Sequence, residues 1–164
     1  MSHQLEQQLQ RLVDIEAIKT LKYRYVRAMT YSDWDALEAT LVENVQTSYS
    51  DGKYTFNNRD EVLNLLRSSH NDAMHNIIAY WHVTMPVIDI TSATTATGSW
   101  GMYHRYIDRG ERNVEEEQFA FYDDEYLRTD EGWKISKTGY KRVMEQGFER
   151  SDIASLKFNA TRFD

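Results

Sequence analysis

Cysteine is absent from this chain of 164 residues. Disulfides, thiolate nucleophiles and cysteine-ligated metals are therefore excluded. With one proline and seven glycines, no linker, repeat or low-complexity tract interrupts the chain, and one domain spanning 1–164 is expected. No apolar run approaches the ~20 residues that span a bilayer. The opening MSHQLEQQLQRL lacks the charged and apolar regions of a signal peptide, so the cytoplasm is the expected compartment. Basic residues are also short: 19 Lys and Arg against 26 Asp and Glu give a net charge of −7. That balance argues against nucleic-acid and membrane-surface partners, which favour a basic face.

Aromatic residues are plentiful. Eleven tyrosines and four tryptophans suffice to line a pocket as well as fill a core. The first third reads as helix. Leu9, Leu12, Ile15, Ile18, Leu21, Tyr25 and Met29 recur at steps of three and four, the period of one helix face. The polar residues 1–11 are expected to fray. Asp33 is placed to cap a second helix at WDALEATL, and Asn58 with Glu61 resembles a capping box opening a third. Beyond a hairpin signal in VQTSYSDGKYTF, with Asp51-Gly52 at its turn, four strands are expected near 76–90, 94–107, 115–128 and 132–144, followed by a tail over 150–164. Helices followed by an antiparallel meander predict an α+β fold, a curved sheet wrapped around a helix, whose concave side makes a natural small-molecule cavity.

Strand alternation sorts the side chains. Ala96, Gly98, Trp100, Met102, His104 and Tyr106 form the more apolar face of their strand, which places His104 on the concave side beside Trp100 and Met102. In AYWHVTMP both faces are large and partly apolar, so the direction of His82 is ambiguous. Phe119, Phe121, Trp133 and Ile135 are expected on one side of the last two strands, and Tyr122, Tyr126 and Tyr140 on the other. If His82 and His104 converge, they form a proton-transfer pair, because burial keeps imidazole neutral and basic. The alternative is a pair of core histidines bonded to backbone carbonyls. Two histidines with no clear third carboxylate are weak grounds for a metal, and none is expected. Tyr25 and Tyr49 are either packed core phenols or donors to a substrate oxygen. Arg142 either grips an anion or pairs at the surface. His70 and His75 flank a loop and are expected to be exposed.

The stretches DIEAIKTLKYRYVRAM, WDALEATLVENVQTSYSDGK, LLRSS, TTATGSW and KTGYKRVMEQGFER carry a resemblance covering about residues 12–150. The chain resembles the SnoaL-like branch of the NTF2-like (cystatin-like) superfamily, looking most like bile acid 7α-dehydratases and more distantly like scytalone dehydratases. The resemblance implies a cone-shaped α+β fold and cofactor-independent chemistry. In those enzymes a sheet histidine is the base, an aspartate at the end of the first helix orients it, and tyrosines bind the substrate oxygen. The base position is matched by His82, or by Trp81 in an ungapped reading. Tyr25 and Tyr49 match the tyrosines, Arg142 a late arginine, and His104 a second histidine of the scytalone enzymes. Thr30 stands where the aspartate belongs. The expected function is a dehydratase or isomerase abstracting a proton next to a carbonyl of an apolar, ring-containing, steroid- or polyketide-like molecule. His82, His104 and Tyr25 would be catalytic. Tyr49, Thr30, Trp100, Met102 and Arg142 would bind substrate. The alternative is a non-catalytic ligand-binding module with a degenerate site. A homotrimer is expected, with a dimer as alternative.

Overall fold

The computed structural model describes residues 3–70 and 75–163. In chain order these form α1 (His3–Tyr31), α2 (Trp34–Glu38), β1 (Leu41–Tyr49), β2 (Tyr54–Phe56), α3 (Arg59–His70), β3 (Ile77–Ile90), β4 (Thr95–Asp108), β5 (Val114–Thr129) and β6 (Gly132–Glu149), then a single 3-10 turn over Arg150–Asp152. The class is α+β, as the alternation indicates. Helices pack against a curved, mixed, six-stranded sheet of order β2-β1-β6-β5-β4-β3. Strands β3 to β6 form the antiparallel meander, while β1 runs parallel to β6.

The buried side of α1 is Ile18, Leu21, Lys22, Tyr25, Val26 and Met29, one face at helical spacing. The stripe stops short of its expected start. Leu9 and Leu12 are 53% and 65% exposed, although the helix is continuous from His3. At the boundary sits buried Asp14, which accepts a hydrogen bond from Trp133 Nε1 at 3.2 Å and pairs with Arg128, pinning α1 to the β5–β6 end of the sheet. The caps fall where the sequence puts them. Asp33 Oδ1 accepts from Ala36 N–H at 3.1 Å and Asn58 Oδ1 from Glu61 N–H at 2.9 Å, satisfying otherwise orphaned helix amides. Positive φ at Asp51 and Gly52 turns β1 into β2.

One face assignment needs correction. Trp133 and Ile135 are buried with Tyr122 and Tyr126, not opposite them. Glu125 pairs with Lys137 whereas Tyr126 pairs with Ile135, so β6 carries an extra residue there, and a one-residue insertion exchanges the faces of a strand. A second bulge lies in edge strand β3 between Thr84 and Val87, with Met85 at φ 50 just before Pro86. On the convex face Tyr80, Val87, Phe119, Phe121 and Met144 stand exposed. Among the described residues no helix is long and apolar enough to cross a membrane.

Candidate active site

The concave face of the sheet and helix α3 enclose a cavity of about 290 Å³. Aromatic side chains dominate its wall: Tyr49, Tyr54, Trp81, Tyr106, Tyr122 and Tyr140, with Met29, Leu65 and Leu66 between them. Two imidazoles, His70 and His104, also line it.

Directly paired residues of neighbouring strands share a face, and Trp81 pairs with His104 while His82 pairs with Tyr103. His82 is therefore exposed on the convex side, and the expected convergence of His82 with His104 does not occur. Both faces of this segment carry aromatics, and the larger indole takes the interior. Trp81 stacks on His104, with ring centroids 4.3 Å apart, and approaches His70 on α3 at 5.2 Å. His70 is not the exposed loop residue the sequence suggested: it is 6% exposed. It extends the stripe of Val62 and Leu66 by one more turn, a helical spacing that marks it as buried. Its Nδ1–H donates to the Leu66 carbonyl at 2.8 Å, so in the neutral ring the lone pair is on Nε2.

Thr30 does not meet an imidazole. Its hydroxyl donates to Val26 O at 2.9 Å and accepts weakly from Trp81 N–H at 3.4 Å, tying the end of α1 to the β3 backbone. The acid position of the resemblance thus holds an uncharged hydroxyl; of its two candidates for the base, His82 faces away from the cavity and Trp81 puts an indole into it. His104 is the sheet imidazole that faces the cavity. Its Nε2 is buried and has no hydrogen-bond partner among the described residues. Burial first, then the nearby His70, push its pKa down to about 4, although Gln118 directly across on β5 offsets part of the effect. At neutral pH the ring is uncharged.

The tyrosines form two layers. Tyr25 is fully buried behind the wall, and its hydroxyl shares a 2.9 Å hydrogen bond with that of Tyr49. Burial raises the pKa of both phenols, so both stay protonated. Tyr140 bonds to Ser50 at 3.0 Å. Tyr122, in the same wall, takes part in none of the hydrogen bonds among the described residues. Trp100 and Met102 lie on the concave side as expected, but as buried core and outside the cavity lining. Trp100 Nε1–H donates to Tyr126 Oη at 2.9 Å, and Tyr126 in turn donates to Asp124 at 2.8 Å.

That chain ends in a buried ion pair, which the sequence expectations do not include. Lys22 Nζ lies 2.7 Å from Asp124 Oδ2, with both side chains fully buried. The ammonium sits 3.5 Å over the Tyr122 ring and 4.8 Å from that of Tyr25, directly behind the phenol wall. Burial lowers its pKa, and Asp124 counteracts. Arg142 stays outside the cavity, held by Asp51 at 2.7 Å and Glu145 at 3.0 Å, where it ties the β1–β2 turn to β6. A wider groove of about 700 Å³ between α1, α2 and the β5–β6 turn contains none of these candidate residues.

Comparison with known proteins places this geometry. A hexachlorocyclohexane dehydrochlorinase, LinA-type3 of Novosphingobium barchaimii, superposes with a TM-score of 0.74 at 21% identity, covering 94% of this chain and 99% of its own. A scytalone dehydratase-like protein of Novosphingobium aromaticivorans superposes at 0.73 with 20% identity over 83% and 88% of the two chains. An NTF2-like protein with a cystatin-like fold from the same organism gives 0.71 at 20% over 85% and 88%. At these identities the likeness is one of fold. The SnoaL-like domain profile matches residues 10–139, most of the chain, and the chain belongs to the SnoaL-like domain family.

Proposed function

We propose that this chain is a cofactor-independent lyase or isomerase in which His104, not His82, moves the proton. The observation that carries the reading is a neutral imidazole whose Nε2 has no hydrogen-bond partner among the described residues, bordering an aromatic cavity that also holds the Tyr122 phenol. His104 and Tyr122 sit on adjacent strands. Their pairings, His104 with Gln118 and Trp100 with Tyr122, separate them by four residues, roughly 13 Å of strand, a span that a ring-containing molecule bridges. Nε2 takes a proton from carbon conjugated through a ring with a carbonyl, and the electron pair moves through that conjugated system onto the carbonyl oxygen at the far end, where the Tyr122 O–H stabilises it. The imidazolium then returns the proton to a different carbon, an isomerisation, or to a departing hydroxyl, a dehydration. A base of such low pKa and without a carboxylate partner suits an already acidic C–H.

The scytalone dehydratase-like and dehydrochlorinase neighbours support this class of reaction. A cavity near the lower end of the ~300–1,000 Å³ usual for ligand sites favours one or two rings over the four of a steroid, and so speaks against a substrate like that of bile acid 7α-dehydratase. The exposed aromatics of the convex face support assembly into a homo-oligomer, with a trimer favoured.

A second reading, a binding module without chemistry, is favoured by Thr30 and Trp81 at the dyad positions. The two separate in deuterium oxide with a panel of cyclic ketones and β-hydroxyketones. Wild-type protein is expected to catalyse exchange of the hydrogen that the carbonyl acidifies, read by NMR, and His104→Phe to abolish it. Ligand-induced chemical shifts without exchange would establish the binding module.

A further inference from the structure

The charged groups of the cavity stand together at one side of its lining. Arg112, in the turn between β4 and β5, and Glu116, on β5, both line it. They pair with one another while their side chains remain 53% and 32% exposed, so this is where the cavity meets solvent. Tyr106, also on the wall, presents its ring 5.9 Å from the Arg112 guanidinium.

Arg112 is the only arginine or lysine lining this cavity among the described residues. The surrounding arginines are committed elsewhere. Arg105 holds Glu115 and Glu117, Arg150 holds Glu115, and Arg109 donates to the His75 carbonyl. Arg112 contacts one carboxylate, Glu116, through Nη2, and its guanidinium also lies against the Tyr106 phenol, where it offsets part of the rise in pKa that burial causes. A guanidinium matches a carboxylate in geometry and charge. Glu116 shows the fit, since it is a carboxylate already seated at the mouth.

We propose that the cavity selects a small ring compound bearing a carboxylate, and that Arg112 takes this carboxylate in exchange for Glu116. The ring fills the aromatic interior toward Trp81 and the acid stays at the mouth, where solvent receives the displaced Glu116 side chain. A single negative charge suits the site. A phosphate dianion would meet one cation and keep Glu116 as a repelling neighbour. The proposal rests on the cavity being a small-molecule site, but not on the proton transfer assigned to His104.

The test is a binding titration with 2-naphthoate and its neutral isostere 2-naphthamide, read by calorimetry. Wild-type protein is expected to prefer the acid. Arg112→Gln should weaken 2-naphthoate binding about tenfold, the size of one partly exposed charge-assisted contact, and leave 2-naphthamide unchanged. Glu116→Gln should tighten 2-naphthoate binding several-fold, because the competing internal carboxylate is gone. Both residues are partly exposed, so the variants fold. Equal affinity of the wild type for acid and amide, or equal loss of both in Arg112→Gln, would overturn the role of Arg112 while leaving the cavity a ligand site. Binding of neither probe to wild-type protein would overturn both.

Discussion

The indole of Trp81 lies against the imidazole of His104 at 4.3 Å, their planes 15° from parallel, at directly paired positions of β3 and β4. His70 approaches Trp81 at 5.2 Å, so the indole touches both imidazoles of the cavity. The stack shields His104 from water, and shielding penalises the imidazolium.

The first prediction concerns that penalty. His104 should remain neutral from pH 8 to pH 5 by heteronuclear NMR and titrate near 4. Its folded pKa lies below the ~6.5 of an unfolded histidine, so the unfolded chain binds the proton first. Stability is then fully present above about pH 6.5 and falls as pH drops toward 4, by up to a few kcal/mol. Chemical denaturation across that window should show the slope in wild-type protein, and a shallower one in His104→Phe.

Lys22 and Asp124 supply the second. Removing one member of a buried ion pair strands the other charge and costs about 3–5 kcal/mol, whereas replacing both with apolar residues is often neutral. Lys22→Met should therefore lower the urea midpoint sharply, and Lys22→Met with Asp124→Leu should recover most of the loss. Equal destabilisation by the single and double variants would show that the pair is worth more than its desolvation.

The third follows from the contact between Thr30 and the Trp81 backbone. Residue 30 already reaches the strand position from which residue 81 faces the cavity. Thr30→Asp combined with Trp81→His should create a charge-stabilised imidazole and raise hydrogen exchange on ketones at least tenfold, about 1.4 kcal/mol of barrier. An unchanged exchange rate in a folded double variant would show that the dyad positions are no longer in register with the cavity.

A fourth concerns the convex face. Light scattering should find wild-type protein oligomeric, with trimers favoured. Phe119→Ser with Phe121→Glu, at positions 38% and 44% exposed, should shift it toward monomer without weakening ligand binding in the cavity. A monomeric wild type at micromolar concentration would remove the assembly.

The strands were legible because their alternation is long. Each of the four expected spans lies within a few residues of β3 to β6. Faces were legible only where parity is unbroken. Ala96 to Tyr106 reads correctly, while the bulge near residue 136 hides the inward turn of Trp133 and Ile135. At Trp81 and His82 two large side chains compete for one interior, and alternation alone cannot choose between them. The remaining omissions had a usable signal. Lys22 falls four residues after Ile18 and three before Tyr25, on the buried stripe of α1, and His70 falls four after Leu66. Both spacings mark a polar group carried inside by its helix.

The two ends of the sheet also bear on how the chain meets its own copies. At one end β2 is three residues long. At the other, β3 is kinked by its bulge at Met85 and Pro86, and its Trp81 amide is turned toward Thr30. Each border is shortened or broken as a template for an incoming strand, the surface on which fibrils grow. A sheet this rich in aromatics can hold a cavity and still resist open-ended growth at its borders.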